Sequence, residues 1–481
     1  MYFNSTVYGL FLIAVFAVSW LLVARRRPAR FLVLLVASWF FYACWTEDGE
    51  WVGLKYLVLI LGSSGLDWFV GNALHRLDRD DPETLGRRRR LLFCSLAGNL
   101  GVLGLFKYYD FFANNVSQLT GLDVPLLKWA LPVGISFYTF QTLSYTIDIY
   151  RGKLAPAKNL GEFALFVAFF PQLVAGPIVR ASDFLPQLEN RPRLDREALH
   201  SGLFRIMEGL FKKVVIADVI GVGLVDGVFA NGSQTAGLGV LLGIWGYALQ
   251  IYGDFAGYSD IAIGSARLLG FRIPENFHAP YKSTSIQDFW RRWHISLSSW
   301  LRDYLYIPLG GNRKGPARTY INLAIVMLLG GLWHGAAWTF VVWGAIHGGM
   351  LGVNRWWQRR GFGTLPGKLG QVVAIVLTFH LVCLAWVFFR SRTFGEAGDV
   401  LDRLCTSGDQ GWFAVPDLGY KVWFAFVCGY LLHFLPVPVK ARVQALYAGL
   451  PSLVLGALWA VFFGFLAYMA VDASPFIYFQ F

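Results

Sequence analysis

A long stretch without charge, from Tyr320 to Val353, is the sequence feature that most constrains the fold of this chain. Arg318 and Arg355 bracket it, and it contains no Lys, Arg, Asp or Glu. Many other apolar runs reach the length of about 20 residues that a helix needs to cross a bilayer. Charged residues make up 15% of the 481-residue chain, against about 25% in a typical soluble protein. The sequence therefore predicts an all-α polytopic membrane protein.

A histidine lies in the middle of this uncharged stretch, within the sequence LLGGLWHGAAW at 328–338. His334 follows Asn322, a plausible membrane-interface residue, by about 18 Å of helix, so its ring should sit near the middle of the hydrocarbon core. A titratable ring at that depth is costly unless it faces a cavity or a partner. His334 is therefore a candidate functional residue, and the alternative is a histidine that only hydrogen-bonds a neighbouring helix.

The net charge of +12 comes largely from basic residues in short segments between apolar runs. This pattern follows the positive-inside rule and does not indicate nucleic-acid binding. No positive charge precedes the first apolar run, which argues against a cleavable signal peptide, and Arg25–Arg27 follow that run. That order predicts an N-terminus outside the cytoplasm. The acidic loop 46–50 then falls outside, and a basic loop ending in Arg87–Arg90 falls in the cytoplasm.

Two apolar stretches have basic residues on both flanks, so a single crossing would violate the charge bias. Residues 162–179 contain two prolines, and a re-entrant dip is the favoured interpretation. Residues 320–353 could break at glycines such as Gly335 into two half-spans with His334 near the turn, or could form one long tilted helix. We expect ten to twelve membrane segments in all, and three closing spans are predicted at 369–389, 419–437 and 451–471.

Residues 272–318 form the longest stretch that cannot span a membrane, and they are basic and aromatic. Ser285, three residues before Asp288, is a plausible start of an amphipathic helix in the headgroup region on the cytoplasmic side. Its arginines could form a cationic mouth that collects a phosphate-bearing donor, or the segment could be only a surface scaffold. His294 lies within this predicted helix and pairs naturally with His334 as a second buried imidazole.

Other polar residues in apolar surroundings allow two interpretations. Asp254 and Asp260 could orient an imidazole or pair with Arg267 or another arginine, and the ion pair is favoured. His347 follows thirteen residues after His334 and, on a continuous helix, would face away from it, which indicates a structural role. The five cysteines lack the spacing of a metal site or a disulfide framework.

Two segments resemble the hallmark motifs of the membrane-bound O-acyltransferase family: FWRRWHISLSSWLRDYLYIPLGGNR at 289–313 and GGLWHGAAWTFVVWGAIHG at 330–348. The resemblance covers roughly residues 1–390 and is weakest over the C-terminal spans at 391–481. It is strongest to the branch of membrane subunits in bacterial alginate O-acetylation machinery. Further segments that carry it are LPVGISFYTFQTLSYTIDIYRG (131–152), FPQLVAGPIVR (170–180), FKKVVIAD (211–218), DFAGYSDIAIG (254–264), PENF (274–277) and WVFFR (386–390).

The resemblance implies a multi-helix bundle with re-entrant segments and a central tunnel, formed by one transmembrane domain over residues 1–481. His334 matches the histidine regarded as catalytic in the family, and His294 matches the second family position. The acyl group would come from a cytoplasmic thioester such as acetyl-CoA or an acyl carrier, as a co-substrate, with no bound cofactor or metal. Substrate or donor contacts are expected from Trp293, Arg291, Arg302, Trp333 and Asp260.

The function implied is acetyl transfer outward across the bacterial cytoplasmic (inner) membrane, for O-acetylation of an exported polysaccharide such as alginate. The acceptor would be the polysaccharide or an extracytoplasmic, acetylesterase-like partner protein. His334 would act as general base, and a covalent acyl-histidine is the less favoured mechanism. The alternatives are an exporter of D-alanyl or another acyl group for a cell-wall polymer, and a non-enzymatic transporter or flippase. Polar residues concentrated in two histidine motifs, instead of lining a continuous path, favour the enzyme.

Overall fold

The computed structural model describes residues 3–22, 27–46, 51–174, 176–190, 193–230, 232–363, 367–408, 411–471 and 476–477. Within these ranges every regular element is a helix, which confirms the predicted all-α class. Arg25 and Arg26 of the basic cluster, and residues 47–50 of the acidic loop, lie outside the described residues. The chain divides into two compact units, residues 1–206 with 261–274 and residues 207–260 with 275–481. One transmembrane domain over the whole chain stays a prediction.

The helices that begin in the first unit, numbered in chain order, are α1 (Thr6–Ala17), α2 (Arg27–Ala43), α3 (Val52–His75), α4 (Pro82–Leu103), α5 (Tyr109–Thr120), α6 (Ile135–Tyr150), α7 (Leu160–Ala168), α8 (Phe170–Leu173), α9 (Ala181–Glu189) and α10 (Arg196–Leu210). A buried carboxylate holds three of them together. Asp67 of α3 accepts hydrogen bonds from the Ser95 hydroxyl at 2.5 Å and the Asn99 amide at 2.8 Å, both on α4. It also accepts one from the Thr146 hydroxyl of α6 at 3.1 Å. These bonds offset the cost of burying the carboxylate in an apolar helix.

The structure corrects the prediction that Arg87–Arg90 end a basic loop, because these residues lie inside α4. The helix begins earlier, at Pro82, with the Asp81 side chain accepting a hydrogen bond from the backbone N–H of Glu83. Arg88 is buried and donates hydrogen bonds to the carbonyls of Leu74, Leu77 and Tyr150. Its guanidinium therefore satisfies backbone groups at and just beyond the C-terminal ends of α3 and α6, where helices leave carbonyls without partners.

Four helical segments in the described part of the chain are long and apolar enough to cross a membrane: α3, α4 continued through α5 to Thr120, and two later helices at Gly367–Arg390 and Ser452–Met469. The last two coincide with predicted closing spans. The third predicted closing span, 419–437, is instead a short helix that bends by 104° into the next. The stretch 162–179 breaks at Phe169 into α7 and α8, and neither is long enough for a crossing.

The helices of the second unit, to which the C-terminal part of α10 also belongs, are α11 (Asp226–Val228), α12 (Gly237–Leu268, whose last turns belong to the first unit), α13 (Ile286–Arg292), α14 (Ile295–Leu301), α15 (Gly315–His334), α16 (Trp338–Arg359), α17 (Gly367–Arg390), α18 (Phe394–Cys405), α19 (Tyr420–His433), α20 (Val437–Gly449) and α21 (Ser452–Met469). Its core is aromatic, and the largest fully buried side chains there include Trp293, Trp343 and Trp386.

The uncharged stretch of the sequence is a helical hairpin, and not one long tilted helix. α15 ends at His334 and α16 begins at Trp338. Glycines let the two helices touch: a Cβ on Gly331 would lie 2.2 Å from the Phe340 carbonyl oxygen, and one on Gly344 would lie 2.3 Å from that of Met327. Each helix is about 30 Å long, so the hairpin is longer than two half-spans.

Candidate active site

His334 is the last residue of α15, at the turn of the hairpin, and its side chain is buried. The helix ends there because Gly335 is extended and packs so closely that a Cβ on it would lie 2.1 Å from a ring carbon of Phe340. Three aromatic rings surround the imidazole. The ring centroids of Trp333, Trp343 and Phe389 lie 5.1, 5.0 and 5.3 Å from that of His334. His334 is thus held at a helix terminus in an aromatic cage.

His294 does not lie inside a helix, which corrects the sequence interpretation. The predicted start at Ser285 is confirmed, since its hydroxyl accepts the backbone N–H of Asp288 at 3.1 Å. The helix then stops at Arg292, and His294 has left-handed backbone angles, φ 43° and ψ 55°, just before α14. A non-glycine residue in this region costs about 1–3 kcal/mol and persists only where its surroundings enforce it.

The neighbouring segment 276–278 enforces this break. The backbone N–H of His278 donates to the Arg292 carbonyl at 2.9 Å. The Asn276 carbonyl accepts the N–H of Ile295, also at 2.9 Å. These bonds to segment 276–278 replace the helical pattern around residue 294, so the chain turns sharply and directs the His294 side chain into the core, where it has no exposed surface.

The structure brings the two histidines together from positions forty residues apart in the sequence. Their ring centroids are 6.5 Å apart. Trp333 packs against both imidazoles, with centroid distances of 5.9 Å to His294 and 5.1 Å to His334. Phe255 of α12 packs edge-on against His294 at 4.6 Å. One small substrate group could therefore contact both rings.

The tautomer of His294 follows from its partner, Asn276. The Oδ1 atom of Asn276 lies 3.1 Å from His294 Nδ1. The same Oδ1 accepts the backbone N–H and the hydroxyl of Ser296, at 3.3 and 2.9 Å, while the Asn276 amide NH₂ donates to the Ser259 hydroxyl at 3.2 Å. Because a backbone N–H can only donate, the atom facing it is the oxygen, and His294 Nδ1 must carry the hydrogen. Nε2 then keeps its lone pair.

Burial also keeps this imidazole neutral. His294 lies outside the membrane-spanning helices, and burial lowers its pKa to about 3. Its partner Asn276 has an amide that carries no charge, so it does not stabilise an imidazolium as a carboxylate would. The ring at position 294 is therefore an uncharged hydrogen-bond acceptor through Nε2 at physiological pH.

His347 lies in the same aromatic cluster, although the sequence placed it facing away. That placement assumed a continuous helix, and the chain instead reverses after His334. The ring of Trp343 lies 5.0 Å from His334 and 4.7 Å from His347, and Trp290 lies 5.1 Å from His347. Neither ring nitrogen of His347 has a hydrogen-bond partner among the described residues. The hairpin thus adds a third imidazole to the cluster.

The remaining predicted site residues of the two motifs fall into two groups. Trp293 and Trp333 are both buried. Trp333 packs against both imidazoles, and the Trp293 ring lies 5.0 Å from that of Trp386. Arg291 and Arg302 are exposed, and the Arg302 guanidinium pairs through two nitrogens with the adjacent Asp303, at 2.7 and 3.1 Å. The structure therefore places Trp333 at the histidine pair and Trp293 in the adjoining aromatic core, and it leaves the arginines on the surface.

Asp260 and Asp254 form ion pairs, as favoured, but their partners are lysines and not an arginine. Asp260 pairs with Lys212, and Asp254 pairs with Lys213 at 2.7 Å. Both lysines belong to the FKKVVIAD segment at 211–218. This segment packs closely against α12, since a Cβ on Gly253 would lie 2.9 Å from the Lys212 carbonyl oxygen. The ion pairs described for the two aspartates are therefore to lysines, and Asp260 lies in this ionic cluster.

Sequence reasoning did not identify Asn276, Trp343 or Phe389 as site residues. Each lies in a segment noted for its family resemblance, but their types and spacing carried no separate signal. An asparagine two residues after a proline usually indicates a turn, and aromatic residues in apolar helices usually indicate a core. Only the folded arrangement distinguishes these residues from ordinary turn and core positions.

Comparison with known proteins shows the family to which the chain belongs. The family model described as MBOAT, membrane-bound O-acyltransferase family, matches residues 157–389. The chain is 42% identical over 415 residues to the probable alginate O-acetylase AlgI of Pseudomonas putida, covering 85% of this chain and 81% of that protein. It is 38% identical over 397 residues to the peptidoglycan O-acetyltransferase of Helicobacter pylori, covering 76% of this chain and 72% of that protein.

A more distant relative is the teichoic acid D-alanyltransferase of Bacillus subtilis. It is 30% identical over 274 residues, covering 54% of this chain and 69% of that protein. These relatives are acyltransferases by name, and the matched region includes both histidine motifs. The chain therefore belongs to the membrane-bound O-acyltransferase family and is a multi-pass membrane acyltransferase.

Proposed function

We propose that this protein is a membrane-embedded O-acetyltransferase of the bacterial cytoplasmic membrane. It takes an acetyl group from a cytoplasmic thioester, such as acetyl-CoA or an acyl carrier, and passes it outward for O-acetylation of an exported polysaccharide such as alginate. The observation that carries this proposal is the pair of buried imidazoles, His294 and His334, with ring centroids 6.5 Å apart. The names of relatives at 38–42% identity support O-acetyl transfer.

His334 acts as general base in the proposed reaction. Its neutral imidazole takes the proton of an acceptor hydroxyl while the hydroxyl oxygen attacks the thioester carbonyl. The carbon–sulfur bond then breaks, and the sulfur leaves with the proton that the imidazolium returns. One ester forms, one thioester is cleaved, and His334 ends neutral. Such general-base assistance contributes about 10²–10⁴-fold to the rate.

His294 has a different role, which its tautomer supports. Because Nδ1–H is used by Asn276, Nε2 offers a lone pair and no hydrogen to a substrate. A neutral ring in this state cannot polarise the donor carbonyl by donating a hydrogen bond. It can accept one from an amide N–H of the donor or from the acceptor hydroxyl. His294 therefore positions a substrate beside His334, with Trp293 and Trp333 as apolar walls.

In the proposed topology the donor binds on the cytoplasmic side of the membrane and the acceptor on the outer side. The N-terminus lies outside, and the exposed Arg291 and Arg302 lie on the cytoplasmic side, where they attract a phosphate-bearing donor. Between α17 and α19 the described chain holds only α18 and short connections, which leaves little surface for a polysaccharide. A separate extracytoplasmic, acetylesterase-like protein therefore accepts the acetyl group and completes the transfer.

A second candidate is transfer of D-alanyl or another small acyl group to a cell-wall polymer. The 30% identity to a teichoic acid D-alanyltransferase supports it. The two candidates share the histidine pair and differ in the acyl group. Analysis of the exported polymers of a deletion strain by NMR separates them, because O-acetyl and D-alanyl esters give distinct signals.

The test compares three histidine variants in the deletion strain. His334→Ala abolishes acylation of the polymer, and His294→Ala has an equal or weaker effect. His380→Ala is the matched control, since His380 lies on α17, is exposed and contacts its own helix through the Val376 carbonyl. All three proteins should insert and purify equally. Normal polymer acylation by the His334→Ala strain would contradict the proposed site.

A further inference from the structure

We infer that Asn276 is a positioning residue of the acyl transfer reaction, which acts by holding the His294 ring in one tautomer and one orientation. Asn276 has no exposed surface. It lies in the segment between α12 and α13, and its Oδ1 atom is 3.1 Å from His294 Nδ1. This inference rests on the proposed role of His294 in the reaction.

The Asn276 side chain cannot rotate to present its NH₂ group to the histidine. One end of the amide receives two hydrogen bonds from Ser296, and the other end donates to Ser259. A flipped amide would place its NH₂ against the Ser296 backbone N–H, two donors facing each other in a buried site. Hydrogen bonds at both ends of the Asn276 amide therefore hold its Oδ1 atom towards His294.

Asn276 also supports the unusual backbone at His294. Its carbonyl accepts the N–H of Ile295, the first residue of α14. His294, with its left-handed backbone angles, is thus held on two sides: by this backbone bond to the next residue and by the bond from Asn276 Oδ1 to the His294 ring. One residue thus contacts the histidine loop through both backbone and side chain, which limits the backbone angle and the ring rotation together.

The chemistry of an amide, compared with that of other side chains, explains why this position suits asparagine. A leucine would fill a similar volume but would remove the acceptor that Nδ1–H and the two Ser296 donors share. An aspartate would keep an acceptor but would stabilise the imidazolium, so that Nε2 becomes protonated at higher pH. Asparagine supplies the acceptor and leaves the ring neutral, with the hydrogen on Nδ1 and the lone pair on Nε2.

The test uses Asn276→Leu and Asn276→Asp in the purified full-length protein, reconstituted in vesicles with acetyl-CoA and an acceptor that the wild-type protein acetylates. Loss of the hydrogen-bond partner that orients a metal-binding histidine typically costs about 10–100-fold in activity, and the same order of effect is expected for this ring. We expect kcat of Asn276→Leu to fall by that factor with little change in KM. Asn276→Asp should retain activity at high pH. The acidic limb of its pH profile should move to higher pH, because activity needs the neutral ring and the carboxylate raises the pKa of His294.

Ser296 is unsuitable as a control because its hydroxyl also lies 3.5 Å from His294 Nδ1. Ser299→Ala is the matched control. It removes a hydroxyl of α14 that donates to the Ser296 carbonyl at 3.0 Å and leaves the bond between Asn276 and His294 in place, so its kcat and pH profile should stay close to wild type. A loss as large as that of Asn276→Leu would show that only packing of the loop matters, which would overturn the inference. If Asn276→Leu does not fold, the pH profile of Asn276→Asp decides, and an unshifted acidic limb would overturn the inference.

His294→Ala in the same assay separates this inference from the function on which it rests. If His294→Ala is as active as wild type, the proposed role of His294 fails and the inference fails with it. If His294→Ala is impaired while Asn276→Leu matches wild type in kcat and pH profile, only the inference fails. If both are impaired, the double variant should be no slower than His294→Ala alone, because Asn276 acts through that ring.

Discussion

Replacing Gly331 by alanine should separate the two helices of the hairpin that carries His334. The added Cβ would lie 2.2 Å from the Phe340 carbonyl oxygen, whereas ordinary van der Waals contact begins at 3.4 Å. The oxygen belongs to the backbone of α16, so no side-chain rotation relieves the clash. The helices must move apart by about 1 Å, and overpacking of this kind typically costs about 1–3 kcal/mol of stability.

The same movement should also reduce activity. Gly331 lies one helical turn before His334, and Trp343 on the opposite helix packs against the His334 ring. Widening the hairpin therefore shifts the imidazole relative to its cage. A misplacement of about 1 Å at a reacting group can reduce the rate by about 10²-fold. We expect a loss of that order in kcat for acetyl transfer, with the thermal midpoint in detergent lowered by several degrees.

Gly330→Ala is the matched control for this prediction. Its Cβ would lie 3.4 Å from a Leu301 side-chain carbon, at the edge of ordinary contact. The two variants differ by one position on the same helix and make the same chemical change. Gly330→Ala should stay near wild type in both assays. Equal behaviour of the two variants would refute the argument that close helix contact at Gly331 holds the site.

Three other predictions follow from the fold and the proposed topology. A cysteine introduced at exposed Gln287 in a cysteine-free background should react with an impermeant maleimide only in inverted vesicles, and strong labelling of intact cells would contradict a cytoplasmic 272–318 segment. Asp67→Ala should lower the thermal midpoint markedly, since it leaves three buried donors without their acceptor at about 1–3 kcal/mol each, whereas Asp67→Asn should lose less. The purified chain alone, with acetyl-CoA on one face and soluble oligosaccharide on the other, should acetylate the sugar poorly, and efficient transfer without a second protein would exclude the relay.

Much of the site's framework can be predicted from local sequence. The all-α class follows from apolar runs, the start of α13 follows from Ser285 and Asp288, and the glycines at 330–335 allow a break near His334. Each of these predictions depends on residues that are neighbours along the chain. The length of an apolar run and the capping of a helix depend only on residues close together in the chain, so both can be read from the sequence.

Other features depend on which distant segments meet, and only the tertiary structure decides those. Asn276 sets the His294 tautomer and breaks the expected helix, because its segment packs beside residues 292–296. His347 joins the aromatic cluster because the chain reverses after residue 334. Asp260 pairs with Lys212 of another segment, although Arg267 is closer in sequence. The sequence by itself determined that His334 and Asp260 lie in apolar stretches, since hydropathy depends on neighbouring residues. The tertiary structure decided which hydrogen-bond and ion-pair partners the buried polar groups have, since such a bond requires a contact that composition and periodicity do not specify.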